Sequence, residues 1–270
     1  MIGAVVCGAA GRMGGRIIAM MRESDDFTLV GAVERSGNER IGHDAGEVAG
    51  IGKIGVPLVG DLGTVMSQGQ VIIDFTTPQA TMTHVALAVQ AQVPVVVGTT
   101  GLTAADLERI KALSSTVPCV VSPNMSVGVN VLLKALAEVA ATLGDAYDVE
   151  IVETHHRFKQ DAPSGTALKM AQVIAQTLGR ELDTAGIYGR SGVTGARSTE
   201  EIAIHALRAG DVIGDHTVIF GGMGERIEMT HRAHSRDNFA RGALCAARWV
   251  LGQPPGLYDM QDVLGLKERS

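Results

Sequence analysis

The sequence predicts an α/β chain in two parts: an N-terminal parallel sheet of Rossmann type and a second α+β domain. Three observations carry this. Through the first 126 residues, short apolar runs alternate with helical patterns, as strands covered by helices on both faces do. Gly8, Gly11 and Gly14 form a GxxGxxG turn between the first strand and the first helix. After residue 200, three strand-like runs follow one another with little between them, which points to a mixed or antiparallel sheet.

The elements follow in order. Ile2–Cys7 is an apolar strand, and Arg16–Arg22 carries a helical pattern. Phe27–Glu34 is a second strand. The glycine-rich stretch 36–60 reads as a long loop with at most a short helix. Val71–Phe75 is a strand, and Pro78 opens a helix through Ala91, because proline suits the first helical turn. Val93–Val97 is a strand, Thr103 caps a helix over Ala104–Leu113, and Pro118–Val121 is the next strand. Val129–Leu143 is amphipathic and helical. Tyr147–His155 alternates as a strand, and Ser164–Leu178 is a helix. The consecutive strands are Glu201–Arg208, His216–Phe220 and Arg226–His231, and Asn238–Leu251 returns to helix.

Composition narrows the class. With 46% hydrophobic and 19% charged residues, the chain can build a soluble core. Aromatics are only 3%, so that core is aliphatic. A net charge of −6 argues against nucleic acid as the main partner but leaves room for a basic pocket. Cys7, Cys119 and Cys245 are odd in number and widely spaced, as reduced thiols in a cytoplasmic protein are. The apolar start lacks a basic leader and runs into a glycine turn, so it reads as a strand. No apolar run is expected to span a membrane, and no His/Asp/Glu grouping has metal spacing.

The glycine turn is the first chemical signal. A dinucleotide pyrophosphate needs close backbone approach and free N–H groups at a helix start. The same glycines could make a plain tight corner, but Glu34 lies twenty residues beyond Gly14, at the end of the second strand, where a carboxylate accepts from ribose hydroxyls. Arg35, with Arg12 as a second candidate, can pair a 2′-phosphate. Both NADH and NADPH are therefore expected as cofactors. Further strand ends, at Gly98, Thr99 and Thr100 and at Ser122 and Asn124, lie at the sheet's carboxyl edge, where ligands of such sheets bind.

The second signal is ETHHRFKQDAPSGTA at 153–167. His155 and His156 project oppositely in extended chain, so they do different work. Lys159 follows across a turn. Ser164 is a good N-cap, and Gly165 and Thr166 supply N–H groups to the next helix, making an anion site beside proton donors. Each residue alone has an ordinary surface or capping role; their clustering points to catalysis. His43, His84, His205, His216, His231 and His234 lack such company and read as structural.

GAAGRMG at 8–14, VGTTG at 97–101, SPNMSVGVN at 122–130 and HHRFKQDAPSGTA at 155–167 resemble the dihydrodipicolinate reductase family over nearly the whole chain. RAGDVIGDHTVIF and the closing GLYDMQDVLGL extend the resemblance. It implies a dinucleotide-binding domain over 1–126, completed by 237–270, and a substrate-binding and tetramerisation domain over 127–236. It implies reduction of a cyclic dicarboxylate imine after loss of water, with His155 as acid and Lys159 as second proton donor or charge stabiliser. His156, Lys159, Ser164, Gly165 and Thr166 would hold the carboxylates. Gly8, Gly11, Arg12, Met13, Gly14, Glu34, Arg35, Gly98, Thr99, Thr100, Ser122, Asn124 and Met125 would hold the nucleotide. Met125 stands where many relatives have Phe and is expected to line the nicotinamide pocket more softly. Two other classes share parts of the pattern: a nicotinamide enzyme for an amino-acid aldehyde or amine, and a non-enzymatic cofactor sensor. Neither needs the histidine–lysine–SGT pocket.

Overall fold

The structure, a computed structural model, describes residues 1–267. Its contacts divide the chain into one unit of residues 1–127 with 236–270 and a second of residues 128–235.

The first unit is built on β1 (Ile2–Cys7), α1 (Arg12–Arg22), β2 (Phe27–Val33), α2 (Ala45–Val48), β3 (Leu58–Val59), β4 (Val71–Asp74), α3 (Pro78–Gln90), β5 (Val95–Val97), α4 (Ala104–Leu113) and β6 (Pro118–Val121). The second unit holds α5 (Val127–Leu143), β7 (Asp148–His155), α6 (Gly165–Thr177), α7 (Leu182–Ala185), β8 (Gly186–Ile187), β9 (Ile202–Arg208), β10 (Gly214–Gly221) and β11 (Arg226–Ala233). The chain then returns to the first unit with α8 (Asp237–Val250), β12 (Gly256–Tyr258) and α9 (Met260–Val263).

The first sheet has seven parallel strands in the order β12-β6-β5-β4-β1-β2-β3. The order reverses beside β1, and the crevice between β1 and β4 at their carboxyl ends is where such sheets bind ligands. Its strands are apolar throughout because helices cover both faces. One core joins Ala4, Val6 and Ile73 to Ile17, Ile18 and Met21 of α1 and to Ala240, Ala243 and Ala247 of α8. Two short strands escape a periodicity reading. β3 adds two residues to the sheet edge inside the predicted loop 36–60, and β12 pairs with β6 after α8. Helix α1 also starts one turn earlier than its apolar pattern, at Arg12, directly on the glycine turn.

The second sheet is mixed, in the order β11-β10-β7-β9-β8, with β7 and β9 parallel and β10 antiparallel to β7 and β11. Val149 and Ile151 of β7 point inward and pack with Leu136 of α5 and Met170 and Ile174 of α6. The expectation about apolar length needs correcting. α5 and the 3-10 turn that follows it, residues 127–146, make 20 helical residues whose most apolar 18-residue stretch has mean hydropathy 1.5, long and apolar enough by those measures to cross a membrane. Val129, Leu133, Leu136 and Ala140 recur at helical spacing on its core-facing side.

Candidate active site

The carboxyl edge of the first sheet is shaped by backbone. Gly8 has φ +76°, and a Cβ added at Gly14 would lie 2.7 Å from the Cα of Ala9. Only glycine leaves room for this corner, which brings the start of α1 against the end of β1. Gly8 and Ala9 donate from their N–H groups to the Val33 carbonyl at 2.9 and 3.0 Å, and Gly11 stands at the N-cap of α1 with no side chain over it. Arg12 is exposed there, and Met13 packs partly against the core. The backbone thus forms an open cradle at a helix start, which fits a pyrophosphate. At the end of β2, Glu34 accepts from Ala10 N–H at 3.2 Å and from Arg35 N–H at 3.0 Å, while Arg35 itself is exposed.

The next strand ends are tied together from within. Asp74 closes β4 and is fully buried. One of its oxygens accepts from Thr76 N–H at 3.1 Å and from the hydroxyls of Thr76, Thr81 and Thr99 at 2.7, 2.9 and 3.1 Å; the other meets His84 Nδ1 at 2.5 Å. Thr99 is therefore turned inward. It and Gly98 offer backbone to the edge, with Thr100 exposed beyond them. Cys7 lies near Asp74 and His84 in a grouping compact enough for a metal ion. Burial, and then the charges of Asp74 and Glu34, push its thiol pKa well up. Ser122 donates to the Asn124 carbonyl at 2.9 Å, and Asn124 Oδ1 accepts from Ser126 N–H at 2.9 Å. The expected pocket-lining role of Met125 needs correcting: its side chain is 1% exposed and sits in the aliphatic core, so it offers a ligand almost no surface.

In the second unit, β7 alternates, and its inward side carries Glu153 and then His155. The ladder sets Glu153 opposite His216 of β10, and His155 beside Arg208 of β9. Glu153 is fully buried. Its Oε2 meets His155 Nδ1 at 2.6 Å and Arg208 Nη1 at 2.9 Å; its Oε1 accepts from Arg208 Nη2 at 3.0 Å and from Ser164 N–H at 3.0 Å. Burial alone would raise this carboxyl's pKa, but the bonds from His155 and Arg208, then Ser164, hold it down at about 2. Arg208 also donates to the Asp161 carbonyl at 2.7 Å.

Ser164 caps α6, its Oγ accepting from Ala167 N–H at 3.2 Å. The same oxygen lies 3.0 Å from His216 Nε2, and the rings of His155 and His216 meet edge to face at 5.1 Å. His216 is thus part of this cluster, which corrects its assignment as a structural histidine. Burial first, then the neighbouring His155, lowers its pKa to about 3, so it stays neutral. Gly165 is exposed and Thr166 half-buried at the helix start. Lys159 Nζ is held at 2.8 Å by both Asp161 oxygens, and His156 continues past the strand end, 6.4 Å ring to ring from Phe158. Sequence spacing alone does not reach Arg208 or His216. A two-residue step back from His155 along the strand would have found Glu153.

These shifts have a pH consequence. The folded values of Glu153 and His216 both lie below their ordinary ones, 4.5 and 6.5, so the unfolded chain binds more protons and stability falls as pH falls. His216 contributes a slope of about 1.4 kcal/mol per pH unit below its ordinary value; Glu153 adds to it below 4.5. Urea midpoints are expected to drop between pH 7 and 5, and less steeply in His216→Gln. Equal slopes in both proteins would contradict a neutral buried His216.

Comparison with known proteins gives a consistent picture. Residues 2–125 match the family model described as dihydrodipicolinate reductase, N-terminus, and residues 128–264 that described as dihydrodipicolinate reductase, C-terminus. The chain is 57% identical over 267 residues to the 4-hydroxy-tetrahydrodipicolinate reductase of Syntrophus aciditrophicus (strain SB), covering 99% of this chain and 100% of that one. It is 52% identical over 262 residues to the protein of that name from Geobacter sulfurreducens, covering 97% and 98%. Among solved structures, a dipicolinate-bound dihydrodipicolinate reductase from Paenisporosarcina sp. TG-14 superposes with a TM-score of 0.77 at 27% identity, covering 97% and 98% of the two chains.

Proposed function

The chain belongs to the dihydrodipicolinate reductase family, and from that membership we propose how its residues divide the work. The activity is the pyridine-nucleotide-dependent reduction of 4-hydroxy-tetrahydrodipicolinate, with loss of water, in diaminopimelate and lysine biosynthesis. The substrate is a small cyclic dicarboxylate.

The observation that carries the reading is the anion-ready start of α6 set beside a charged-hydrogen-bond cluster. The N–H groups of Gly165 and Thr166, with Lys159 and His156, hold the substrate carboxylates. His155 gives its proton from Nε2 to the ring as electrons move toward nitrogen. Lys159 leaves Asp161 for the substrate and stabilises the charge that develops there. Gly8, Gly11, Arg12, Met13 and Gly14 hold the nucleotide's phosphates. Gly98, Thr99, Thr100, Ser122 and Asn124 meet its nicotinamide end largely through backbone. The bound nucleotide supplies a hydride. Loss of nicotinamide absorbance on mixing the protein with NADPH and the condensation product of pyruvate and aspartate semialdehyde tests the reaction. Pyridine-2,6-dicarboxylate is expected to inhibit, and pyridine-2-carboxylate much less; equal inhibition would contradict a two-point anion site.

Cofactor choice rests on Glu34 and Arg35. A carboxylate that accepts from both ribose hydroxyls favours NADH, and the neighbouring guanidinium offsets its repulsion of a 2′-phosphate. Both cofactors are expected to work. Arg35→Ala should raise KM for NADPH about 10-fold, the loss of about 1.4 kcal/mol of charge-assisted contact. Glu34→Ala should harm NADH more. Equal shifts for both cofactors in steady-state kinetics would remove these side chains from the 2′ position.

The assembly we infer is a homotetramer in the cytoplasm. The second sheet is covered by helices on one face, while Val152, Ile219 and the half-exposed Leu207 line the other. Glu150, His205, Thr217 and Thr230 share that face, and a mixed apolar and polar face of this kind suits packing against its copy. A monomer mass by light scattering at micromolar concentration would refute this.

A further inference from the structure

Glu153 is a buried carboxylate with both oxygens doubly hydrogen-bonded, and its ties run in three directions: to His155, to Arg208 and to the backbone N–H of Ser164. An ionised carboxylate only accepts, so the Nδ1 that meets it at 2.6 Å carries the hydrogen. That leaves Nε2 as the ring atom of His155 able to exchange a proton. Nε2 lies over Gly214, where an added Cβ would come within 2.9 Å of it. The missing side chain at Gly214 keeps that nitrogen uncovered.

We propose that Glu153 is the positioning residue of the reaction: it holds His155 as the Nδ1–H form with Nε2 aimed outward, and the same carboxylate anchors the start of α6 through Ser164. The proposal rests on the reading of His155 as proton donor. The proton leaves from Nε2, and the neutral ring that remains keeps its Nδ1–H on Glu153. Arg208 keeps the carboxylate ionised through the cycle with a two-pronged contact. Without Glu153 the neutral ring is free to move its hydrogen to Nε2, where it can neither accept a proton nor stay aligned. One group thus sets both the proton donor and the helix end that receives the substrate carboxylates.

A purely structural Glu153 would lower stability and leave turnover per folded molecule intact. Glu153→Gln alone leaves the half-buried Arg208 against an amide, so the second variant is Glu153→Gln/Arg208→Met, which removes both charges together. Long-range ¹⁵N–¹H spectra of histidine-labelled protein at alkaline pH read the tautomer of His155, and steady-state kinetics and NADH binding are measured on the same samples. The expected result is a mixed tautomer, kcat lowered about 10- to 100-fold, as loss of an orienting partner does, and unchanged NADH affinity. Adding His155→Gln to the variant should cost little more, because both changes act through one ring. Retention of the Nδ1–H form, or kcat within about 3-fold of the parent, overturns the proposal. Near-normal turnover in His155→Gln alone would instead refute the assignment of His155 as acid, and the tautomer spectrum then still decides what Glu153 does to the ring.

Discussion

His155→Gln and Lys159→Ala are each expected to lower kcat by about 10²-fold or more, the usual worth of a positioned proton donor, while NADH affinity stays near normal. Glutamine fills the space of the imidazole but cannot deliver a proton. Its amide can still reach Glu153, so the cluster should stand and the loss should report chemistry rather than folding. Lys159, itself half-buried, rests on the exposed Asp161, its ion-pair partner among the described residues, so its truncation should leave the fold intact. It removes the cation we assign to the substrate carboxylates, and KM for the dicarboxylate should rise along with the fall in kcat. Stopped-flow single turnovers with saturating NADH separate the two effects. Unimpaired turnover in both variants would take the 155–159 segment out of the mechanism.

Arg208→Leu is expected to be the most destabilising single change in the second unit, by about 3–5 kcal/mol, the cost of leaving a buried ion without its partner. Leucine deletes both forks onto Glu153 and the bond to the Asp161 carbonyl. Glu153 then either keeps an uncompensated charge or takes up a proton, and a protonated carboxyl no longer holds His155 through the same charge-assisted bond. Arg208→Lys should recover part of the stability but less of the activity, since an ammonium cannot make the paired contact. Urea unfolding at pH 7 measures the first effect and kcat the second. A destabilisation below about 1 kcal/mol, the range of exposed pairs, would mean that the contact is no more than a surface bridge.

The contrast between Lys159 and Arg208 shows what could be read without coordinates. Lys159, His155 and the SGT cap are neighbours in sequence, so their spacing alone announces a site. Arg208 and His216 lie 55 and 52 positions from the groups they bind, Glu153 and Ser164, and only the register of β7 with β9 and β10 brings them there. The glycine turn was legible because its steric demand excludes every other residue. The parallel sheet was legible because strands buried on both faces are apolar along their length. β3 and β12 were not, since two or three residues are too few to display a period. Nor could Thr99 reveal which way its hydroxyl turns, because that depends on Asp74 in a neighbouring strand.

Asp74 carries a consequence for binding entropy. Its two oxygens gather Thr76 after β4, Thr81 and His84 of α3 and Thr99 after β5, so two strand ends and a helix share one buried carboxyl group. The loops we assign to the nicotinamide are therefore already tied down before a ligand arrives, and their freedom is surrendered during folding. A ligand arriving at this edge has little loop motion left to quench, which lowers the ordering cost of association. Calorimetry should register this as a smaller entropic penalty for NADH in the parent than in Asp74→Ala, with backbone amides 76–99 protected from hydrogen exchange before any nucleotide is added.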